Sequence, residues 1–245
     1  MSIVASTGSS FEDGREPVTA RIIEIFASRQ GEGICVGDPH LFIRFGGCNV
    51  VCDYCDTPES IPAGSGQAWT LDRVLRQVRA LKEKRPQAVT LTGGEPLLQV
   101  GFLERLIPEL RQAGHRIYLE TNGTLPRALE RVVEGCDWIA MDLKPESAIR
   151  RDMWEAHRWF LKTGGKKVFV KMVLTETTSE EELRRAVTLI AGVRPGIPLV
   201  LQPATPWGTS SSIPMARLAS WWDLASRQLP DVRILPQIHR LWGIP

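Results

Sequence analysis

Three cysteines that lie within eight residues constrain this chain more than any other feature. Cys48, Cys52 and Cys55 are spaced C-x3-C-x2-C, and they follow an apolar run at 41–45 and a glycine pair at 46–47. That order predicts a strand leading into a loop of thiolates, with glycine where the backbone turns tightly. Thiolates select soft metals, and iron–sulfur clusters are usually held by cysteine. A four-iron cluster needs four ligands, so three cysteines would leave one iron open to a molecule that is not protein.

Other uses of three clustered cysteines fit less well. A structural zinc site is closed by four ligands, typically in two pairs, and His40 is the only histidine near this loop in the sequence. Disulfide bonding would leave one cysteine over, and nothing in the sequence indicates an oxidising compartment. Cys35 precedes Cys48 by thirteen positions and is a further candidate ligand, although Cys35 and Cys136 are most simply small apolar fillers. The spacing therefore favours an iron–sulfur cluster over zinc, a disulfide or unrelated buried cysteines.

The cysteine loop resembles the signature of the radical S-adenosylmethionine (SAM) superfamily. Tyr54 stands before the last cysteine, where that loop usually carries an aromatic residue. The resemblance implies that Cys48, Cys52 and Cys55 hold a 4Fe-4S cluster whose fourth iron binds the amino and carboxylate groups of SAM. It also implies that an electron from the cluster splits SAM into methionine and a 5′-deoxyadenosyl radical, which removes hydrogen from a substrate. The protein would supply position and the exclusion of water.

The composition is that of one globular α/β domain in a reducing compartment. The chain has 245 residues, of which 43% are hydrophobic, and its net charge is +2. This balance gives no electrostatic argument for a nucleic-acid or membrane partner. Residues 1–17 are polar and lack the features of a signal peptide, and no apolar run approaches the roughly 20 residues of a membrane span. We expect a flexible tail at 1–17, a single domain at 18–245 with a C-terminal segment capping the substrate, and a cytoplasmic protein.

Beyond the cysteine loop, short apolar strands alternate with amphipathic helices. About six such strands predict a parallel sheet with right-handed crossovers, and a closed eight-stranded barrel would be crowded at this length. We therefore expect an α/β fold with an open partial (β/α)6 barrel of mostly parallel strands, which the radical SAM resemblance also implies. An S-x-x-E capping box at Ser179 predicts the start of one helix.

Polar motifs follow several of the predicted strands. They lie at 93–96, 120–122, 142–144 and 202–205. Because the carboxyl ends of parallel strands meet at one face of a barrel-like sheet, we expect these motifs and the cysteine loop to line one pocket.

Four further motifs make the resemblance more specific. They are Q-G-E-G at 30–33, F-I-R-F-G-G-C-N at 42–49, C-D-T at 55–57 and R-I-L-P-Q-I-H at 233–239. These motifs are similar to those of the 7-carboxy-7-deazaguanine synthase family, and the match runs from about Arg21 to the end. The resemblance implies conversion of 6-carboxy-5,6,7,8-tetrahydropterin to 7-carboxy-7-deazaguanine for queuosine and related 7-deazapurines. This is a carbon–nitrogen lyase reaction with ring contraction, loss of ammonia, regeneration of SAM and a requirement for Mg2+.

The resemblance assigns the pterin and magnesium sites to residues from both ends of the chain. The substrate would contact Arg29, Gln30, Gly31, Arg44, Thr92, His239 and the carboxylate of Pro245. An arginine fork suits the substrate carboxylate, and a cation within an apolar strand such as Arg44 costs several kcal/mol unless it is paired. The hydroxyl of Thr57 would bind Mg2+, a hard cation that takes oxygen ligands.

The SAM site would be formed by the polar motifs at the strand ends. Its predicted residues are Gly94, Glu95, Glu120, Asp142, Leu143, Lys144, Gln202, Pro203, Ala204 and Thr205. Glycine is needed where backbone approaches a cofactor closely. Glu120 and Asp142 could equally be ordinary strand-end caps. Residues 142–144 also depart from the Ser-Pro-Lys that many members of the family carry.

Partners and rival functions complete the expectations. The resemblance implies an electron donor such as flavodoxin or ferredoxin, and the eight tryptophans favour a core or a subunit interface, hence a homodimer. One rival is a glycyl-radical activating enzyme, which uses the same cluster on a protein substrate. Another is a non-catalytic iron–sulfur or zinc module, which would bind no SAM.

Overall fold

The computed structural model describes residues 18–81, 84–204 and 213–244, so the predicted tail at 1–17 lies outside the described residues. The described strands are β1 (Thr19–Arg29), β2 (Pro39–Phe45), β3 (Gln67–Thr70), β4 (Ala88–Gly93), β5 (Arg116–Thr121), β6 (Trp138–Asp142), β7 (Val168–Leu174), β8 (Leu199–Pro203) and β9 (Val232–Ile234). The helices are α1 (Leu71–Ala80), α2 (Val100–Gln112), α3 (Pro126–Glu130), α4 (Glu146–Ile149), α5 (Trp154–Gly164), α6 (Glu180–Val193), α7 (Met215–Ser226) and α8 (Ile238–Trp242).

All described strands belong to one open sheet of order β3-β1-β2-β4-β5-β6-β7-β8-β9. Every neighbouring pair from β2 to β9 is parallel, whereas β1 is antiparallel to both β2 and β3. The sheet therefore confirms the predicted open, mostly parallel α/β fold. The cysteine loop follows β2, the first parallel strand.

Helices cover one face of the central strands. Leu41, Val89, Leu119 and Leu199 are fully buried in the main core, together with side chains from α1, α2, α5, α6 and α7. Strands that are buried on both faces read as nearly continuous apolar runs, and a second, smaller apolar cluster covers part of the other face here. Cys136 also lies in this core.

A smaller apolar cluster lies apart from the main core. Tyr118, Phe169 and Val200 pack there with Cys35. Cys35 and Cys136 thus occupy the apolar surroundings expected of small filler residues. The supplementary hypothesis of Cys35 as a cluster ligand gains no support from this position.

Several local features differ from the expectations. The pattern at 150–161 favours one helix over that whole range, but the helix found there, α5, begins only at Trp154, because Arg150 takes a left-handed backbone conformation (φ 54°) that ends the preceding short helix α4. The short elements β3 and α8 were not predicted. The capping box at Ser179 is present as predicted. Trp154 and Trp221 are buried, whereas Trp159, Trp222 and Trp242 are exposed. In the described part of the chain, no helix has both the length and the apolar character needed to cross a membrane.

Candidate functional site

A cavity of about 530 Å³ opens at the carboxyl ends of the parallel strands. It brings together most of the residues predicted from sequence. These are Arg29, Gln30, Gly31, Arg44, Cys48, Cys52, Cys55, Thr57, Thr92, Gly94, Glu120, Asp142, Lys144, Gln202, Ala204 and His239. Glu95, Leu143 and Pro203 are buried instead. Thr205 and Pro245 lie outside the described residues.

The cysteine loop presents three thiols to this cavity. Cys48, Cys52 and Cys55 are free and partly exposed, and burial raises the pKa of each thiol, that of Cys52 to about 11. Val50 of the loop packs against Ala148 and Ile149, and Cys48 and Cys52 lie against this apolar cluster. Asp53 N also donates to the Ala148 carbonyl at 3.1 Å. Three thiols on one wall form the donor set that a thiolate-ligated metal cluster requires.

Glycines let the ends of β2 and β4 approach each other around this loop. A Cβ on Gly94 would lie 2.2 Å from the Gly47 carbonyl oxygen, and one on Gly93 would lie 2.1 Å from that of Phe45. Gly93 also has φ 130°, a conformation that side chains disfavour. Gly93 and Gly94 therefore allow close packing of the backbone beside the cavity.

Glu95, predicted to contact SAM, is directed into the protein. Its carboxylate accepts hydrogen bonds from Leu97 N (3.0 Å), Asn122 N (2.8 Å) and the Thr121 hydroxyl (2.9 and 3.0 Å). Burial raises the pKa of Glu95 to about 7, against the lowering effect of these donors. The side chain holds the ends of β4 and β5 together. Leu143 is likewise fully buried, in the main core.

A row of alternating charges crosses the cavity wall. Lys144 Nζ lies 2.8 Å from Asp142 Oδ2, and Lys171 Nζ lies 3.5 Å from the same oxygen. Lys171 also pairs with Glu32. Burial acts to raise the pKa of Glu32, but Lys171, His239 and Gln237 outweigh it and hold that pKa at about 2. Sequence reasoning missed Lys171, although a cation in an apolar strand is the signal that it used for Arg44.

The predicted pterin residues form polar contacts next to the charged row, since Glu120 interacts electrostatically with both Lys171 and Glu32. Glu120 accepts from Gln30 Nε2 at 2.9 Å and from the Thr92 hydroxyl at 2.7 Å. Arg44 pairs with Glu24 through Nε at 2.7 Å and lies 5.5 Å from the ring centre of Phe26. The expected pairing of this strand cation is therefore present.

The segment around α8 closes one side of the cavity. Ile238 N donates to the Gly31 carbonyl at 2.9 Å, and Gln237 Nε2 donates to Glu32 (2.9 Å) and Asp56 (3.3 Å). One ligand atom each from Glu32, Asp56 and His239 lies within 4.8 Å of the others, an arrangement that could hold a cation. Gln237, Glu32 and Asp56 were not predicted as site residues.

Buried polar atoms in the cavity fit the binding of polar guests. Neither side-chain atom of Gln202 has a hydrogen-bond partner among the described residues, and the same holds for Asp142 Oδ1. Both residues line the cavity. Buried polar groups are normally hydrogen-bonded, so these atoms are suited to a polar cofactor such as SAM.

Known proteins resemble this chain in both sequence and fold. The Radical SAM superfamily model matches residues 42–190. A 7-carboxy-7-deazaguanine synthase from Geobacter sulfurreducens is 40% identical, over 91% of this chain and 97% of its own. One from Methanothermobacter thermautotrophicus is 32% identical, over 92% and 98%. The crystal structure of QueE from Escherichia coli is similar in fold, with a TM-score of 0.64 at 22% identity, over 90% and 95% of the two chains.

Proposed function

Because the chain belongs to the 7-carboxy-7-deazaguanine synthase family of the radical SAM superfamily, we propose that the cavity at the strand ends is its active site. The protein is a radical SAM enzyme that converts 6-carboxy-5,6,7,8-tetrahydropterin to 7-carboxy-7-deazaguanine. Its cofactors are a 4Fe-4S cluster and SAM. One observation supports this location. The three free cysteines share one cavity with Gln202 and Asp142, whose buried side-chain atoms Nε2, Oε1 and Oδ1 have no hydrogen-bond partner among the described residues.

The cysteine loop and the charged wall hold the cofactors in this proposal. Cys48, Cys52 and Cys55 ligate the cluster, and their high thiol pKa values mean that ligation must displace protons. When bound, the cluster and SAM supply a radical that abstracts hydrogen from the pterin. Gln202, Asp142 and Lys144 orient SAM beside the cysteines. Glu95 and Leu143 act only through backbone or packing, since the Glu95 carboxylate is hydrogen-bonded to Leu97, Thr121 and Asn122 and the Leu143 side chain lies in the main core.

The pterin lies, in this proposal, between β1, β2 and the α8 segment. Arg29 and Arg44 supply guanidinium groups for its carboxylate, a pairing with two parallel charge-assisted bonds. Glu120 was predicted from the sequence for the SAM site, but its bonds to Gln30 and Thr92 support a different role in this proposal, in which it accepts hydrogen bonds from ring N–H groups of the pterin. His239 covers the site from the α8 side.

The magnesium site of the proposal lies beside Thr57. Its hydroxyl is 3.4 Å from Asp56 Oδ1, and Asp56 belongs with Glu32 and His239 to the group that could hold a cation. Hard oxygen donors suit Mg2+. Loss of activity in Thr57→Val, with partial recovery at high Mg2+, would support this placement, whereas Mg2+-independent turnover of the wild type would refute it.

The finer statements on partners are also proposals. A small redox protein such as flavodoxin or ferredoxin donates the electron, and two copies associate through surfaces that include exposed tryptophans such as Trp222. A monomer in sedimentation at micromolar concentration would contradict the dimer. All five cysteines are free, which suits a reducing compartment such as the cytoplasm. With a net charge of +2 we expect neither a nucleic-acid nor a membrane partner.

One anaerobic assay tests the function. The protein is reconstituted with iron and sulfide and mixed with dithionite, SAM, Mg2+ and the carboxylated tetrahydropterin, and 7-carboxy-7-deazaguanine is measured. We expect product from the wild type and neither cluster nor product from Cys52→Ala. Cys136→Ala is the matched control, since Cys136 is buried in the core, and it should keep the cluster. An intact cluster in Cys52→Ala, or no product from the wild type, would count against the proposal.

A further inference from the structure

We propose that the side-chain amide of Asn122 donates a hydrogen bond to the sulfur of Cys48 and thereby raises the reduction potential of the cluster. The inference rests on the proposed function, because it requires a cluster on Cys48. It adds a positioning and tuning residue to the reaction, on a side chain that the sequence analysis did not assign.

Asn122 lies directly after β5 at the wall that carries the cysteine loop. Its Nδ2 is 3.9 Å from Cys48 Sγ, and both residues line the same cavity. Asn122 is 5% exposed, so water competes weakly for its amide. The contact joins two loops that are 74 positions apart in sequence.

The neighbours of Asn122 decide which amide atom faces the sulfur. Thr124 N lies 3.1 Å from Asn122 Oδ1, and a backbone N–H can only donate, so the atom opposite it must be the oxygen. The nitrogen is then the atom that faces Cys48. Sulfur ligands accept hydrogen bonds, so this orientation is the productive one.

A closed ring of three side chains fixes this orientation. Asn122 Nδ2 donates to Asn49 Oδ1 at 2.9 Å, Asn49 Nδ2 donates to Thr124 Oγ1 at 2.8 Å, and the Thr124 hydroxyl donates to Asn122 Oδ1 at 2.6 Å. Each of the three bonds restrains the side chain that donates it. The ring uses one of the two hydrogens on Asn122 Nδ2, and the second is the one available to Cys48.

The backbone of Asn122 is held as firmly as its side chain. Its N–H donates to Glu95 Oε2 at 2.8 Å, and its carbonyl accepts from His157 Nε2 at 3.3 Å. Glu95 and His157 are both fully buried. The amide is therefore preorganised, and its position does not depend on the cluster.

The expected effect follows from charge. A reduced cluster carries one more negative charge than an oxidised one, and an N–H dipole pointing at a ligand sulfur stabilises the reduced form more. Hydrogen bonds to the sulfurs are among the factors that set the potentials of iron–sulfur clusters. Removing the donor should make the cluster harder to reduce.

The first test compares two variants of the same ring. Asn122→Ala removes the donor to sulfur, whereas Thr124→Val breaks the ring on its far side and keeps that donor. Redox titrations of the reconstituted proteins, followed by electron paramagnetic resonance, should show a more negative midpoint potential for Asn122→Ala and a near-wild-type value for Thr124→Val. Equal potentials in Asn122→Ala and the wild type, or the same shift in both variants, would overturn the inference.

The second test uses the wild-type protein, so it does not depend on whether a variant folds. The sequence contains two asparagines, Asn49 and Asn122. In wild-type protein labelled with 15N at the asparagine side-chain amide, pulsed resonance on the reduced cluster should detect a weakly coupled 15N, and no coupling would overturn the inference. If the redox titration or the 15N measurement failed while the wild type kept its cluster and its turnover, only the inference on Asn122 would be wrong and the proposed function would stand. A wild type that forms no cluster would refute both the inference and the proposed function.

Discussion

Lys171 is the buried cation on which the charged wall of the cavity depends. Its side chain is 13% exposed and lies between the carboxylates of Glu32 and Asp142. Removing one partner of a buried ion pair costs about 3–5 kcal/mol, because the other charge stays buried without compensation. We therefore expect Lys171→Met to lower the free energy of unfolding by about that amount at pH 7. Urea unfolding of the reduced, cofactor-free protein measures it.

The stability difference between wild type and Lys171→Met should also depend on pH, through the carboxylate of Glu32. The pKa of Glu32 is held at about 2 against an ordinary 4.5, so in this range the unfolded chain binds more protons. The stability that Glu32 contributes is complete above pH 4.5 and is lost as the pH falls towards 2. The difference between wild type and Lys171→Met should therefore narrow below pH 4.5. Lys166→Met, at an exposed position, is the control, and its free energy of unfolding should lie within about 0.5 kcal/mol of the wild-type value. If the free energies of unfolding of wild type and Lys171→Met differed by a constant amount down to pH 2.5, this account would be contradicted.

Single residues also show how far sequence reasoning reaches. Arg44 and Lys171 are both cations inside apolar strands, and that pattern predicts a paired, functional charge in either case. For Arg44 the prediction of a pair is correct. The partners themselves could not be predicted, because Glu32 and Lys171 are 139 positions apart and only the fold brings them together.

At the scale of elements, α6 begins with a capping box that does more than cap a helix. Ser179 Oγ accepts from Glu182 N at 3.1 Å, and Glu182 Oε2 accepts from Ser179 N at 3.0 Å. Glu182 also accepts from Ser147 N at 2.8 Å and from the Ser147 hydroxyl at 2.9 Å. The box therefore ties α6 to α4, the helix beneath the cysteine loop.

We expect substitution of Ser179 and of Glu182, the two residues of the capping box, to lower the free energy of unfolding by different amounts. Ser179→Ala should lower the free energy of unfolding by about 1 kcal/mol, the usual cost of losing an N-cap. Glu182→Ala should cost about 2 kcal/mol, since it also releases both donors of Ser147. Chemical denaturation measures both, with Ser220→Ala on the exposed side of α7 as control. A smaller loss for Glu182→Ala than for Ser179→Ala would refute the tie between helices.

Long apolar-periodic segments were predicted well because their patterns are local. The strand β2 contains the apolar run at 41–45 that was predicted as a strand, and α6 begins directly after the predicted cap Ser179. The strand β3 and the helix α8 were missed because each is five residues or fewer. Short elements of this kind form through tertiary contacts, such as the pairing of Ala20 with Trp69, and carry little periodic signal.

At the scale of the whole molecule, the proposed active site is assembled from both ends of the described chain. Gln237 and Glu32 are 205 positions apart and share a hydrogen bond. The sequence predicted that His239 would reach the site, because its motif resembles that of the family. Distances could not be predicted, so neither the candidate cation site of Glu32, Asp56 and His239 nor the hydrogen-bonded ring around Asn122 was predicted.

Gly31 is the contact point between these two ends, and it yields the last prediction. A Cβ at this position would lie 2.5 Å from His239 Cβ, although no left-handed backbone requires glycine there. We expect the α8 segment to shift and not β1, because α8 is a helix of only five residues. Gly31→Ala should therefore displace His239, raise KM for the pterin at least tenfold, and leave the cluster spectrum and SAM binding unchanged.

A matched glycine separates this effect from a general loss of stability. Gly192 lies in α6 with open space where a Cβ would be, so Gly192→Ala should leave KM unchanged and slightly favour the helix. Steady-state kinetics with the pterin varied at saturating SAM distinguish the two variants. If Gly31→Ala lost SAM binding together with pterin binding, the α8 segment would be supporting the whole cavity and not the substrate side alone. An unchanged KM would mean that His239 does not cover the pterin.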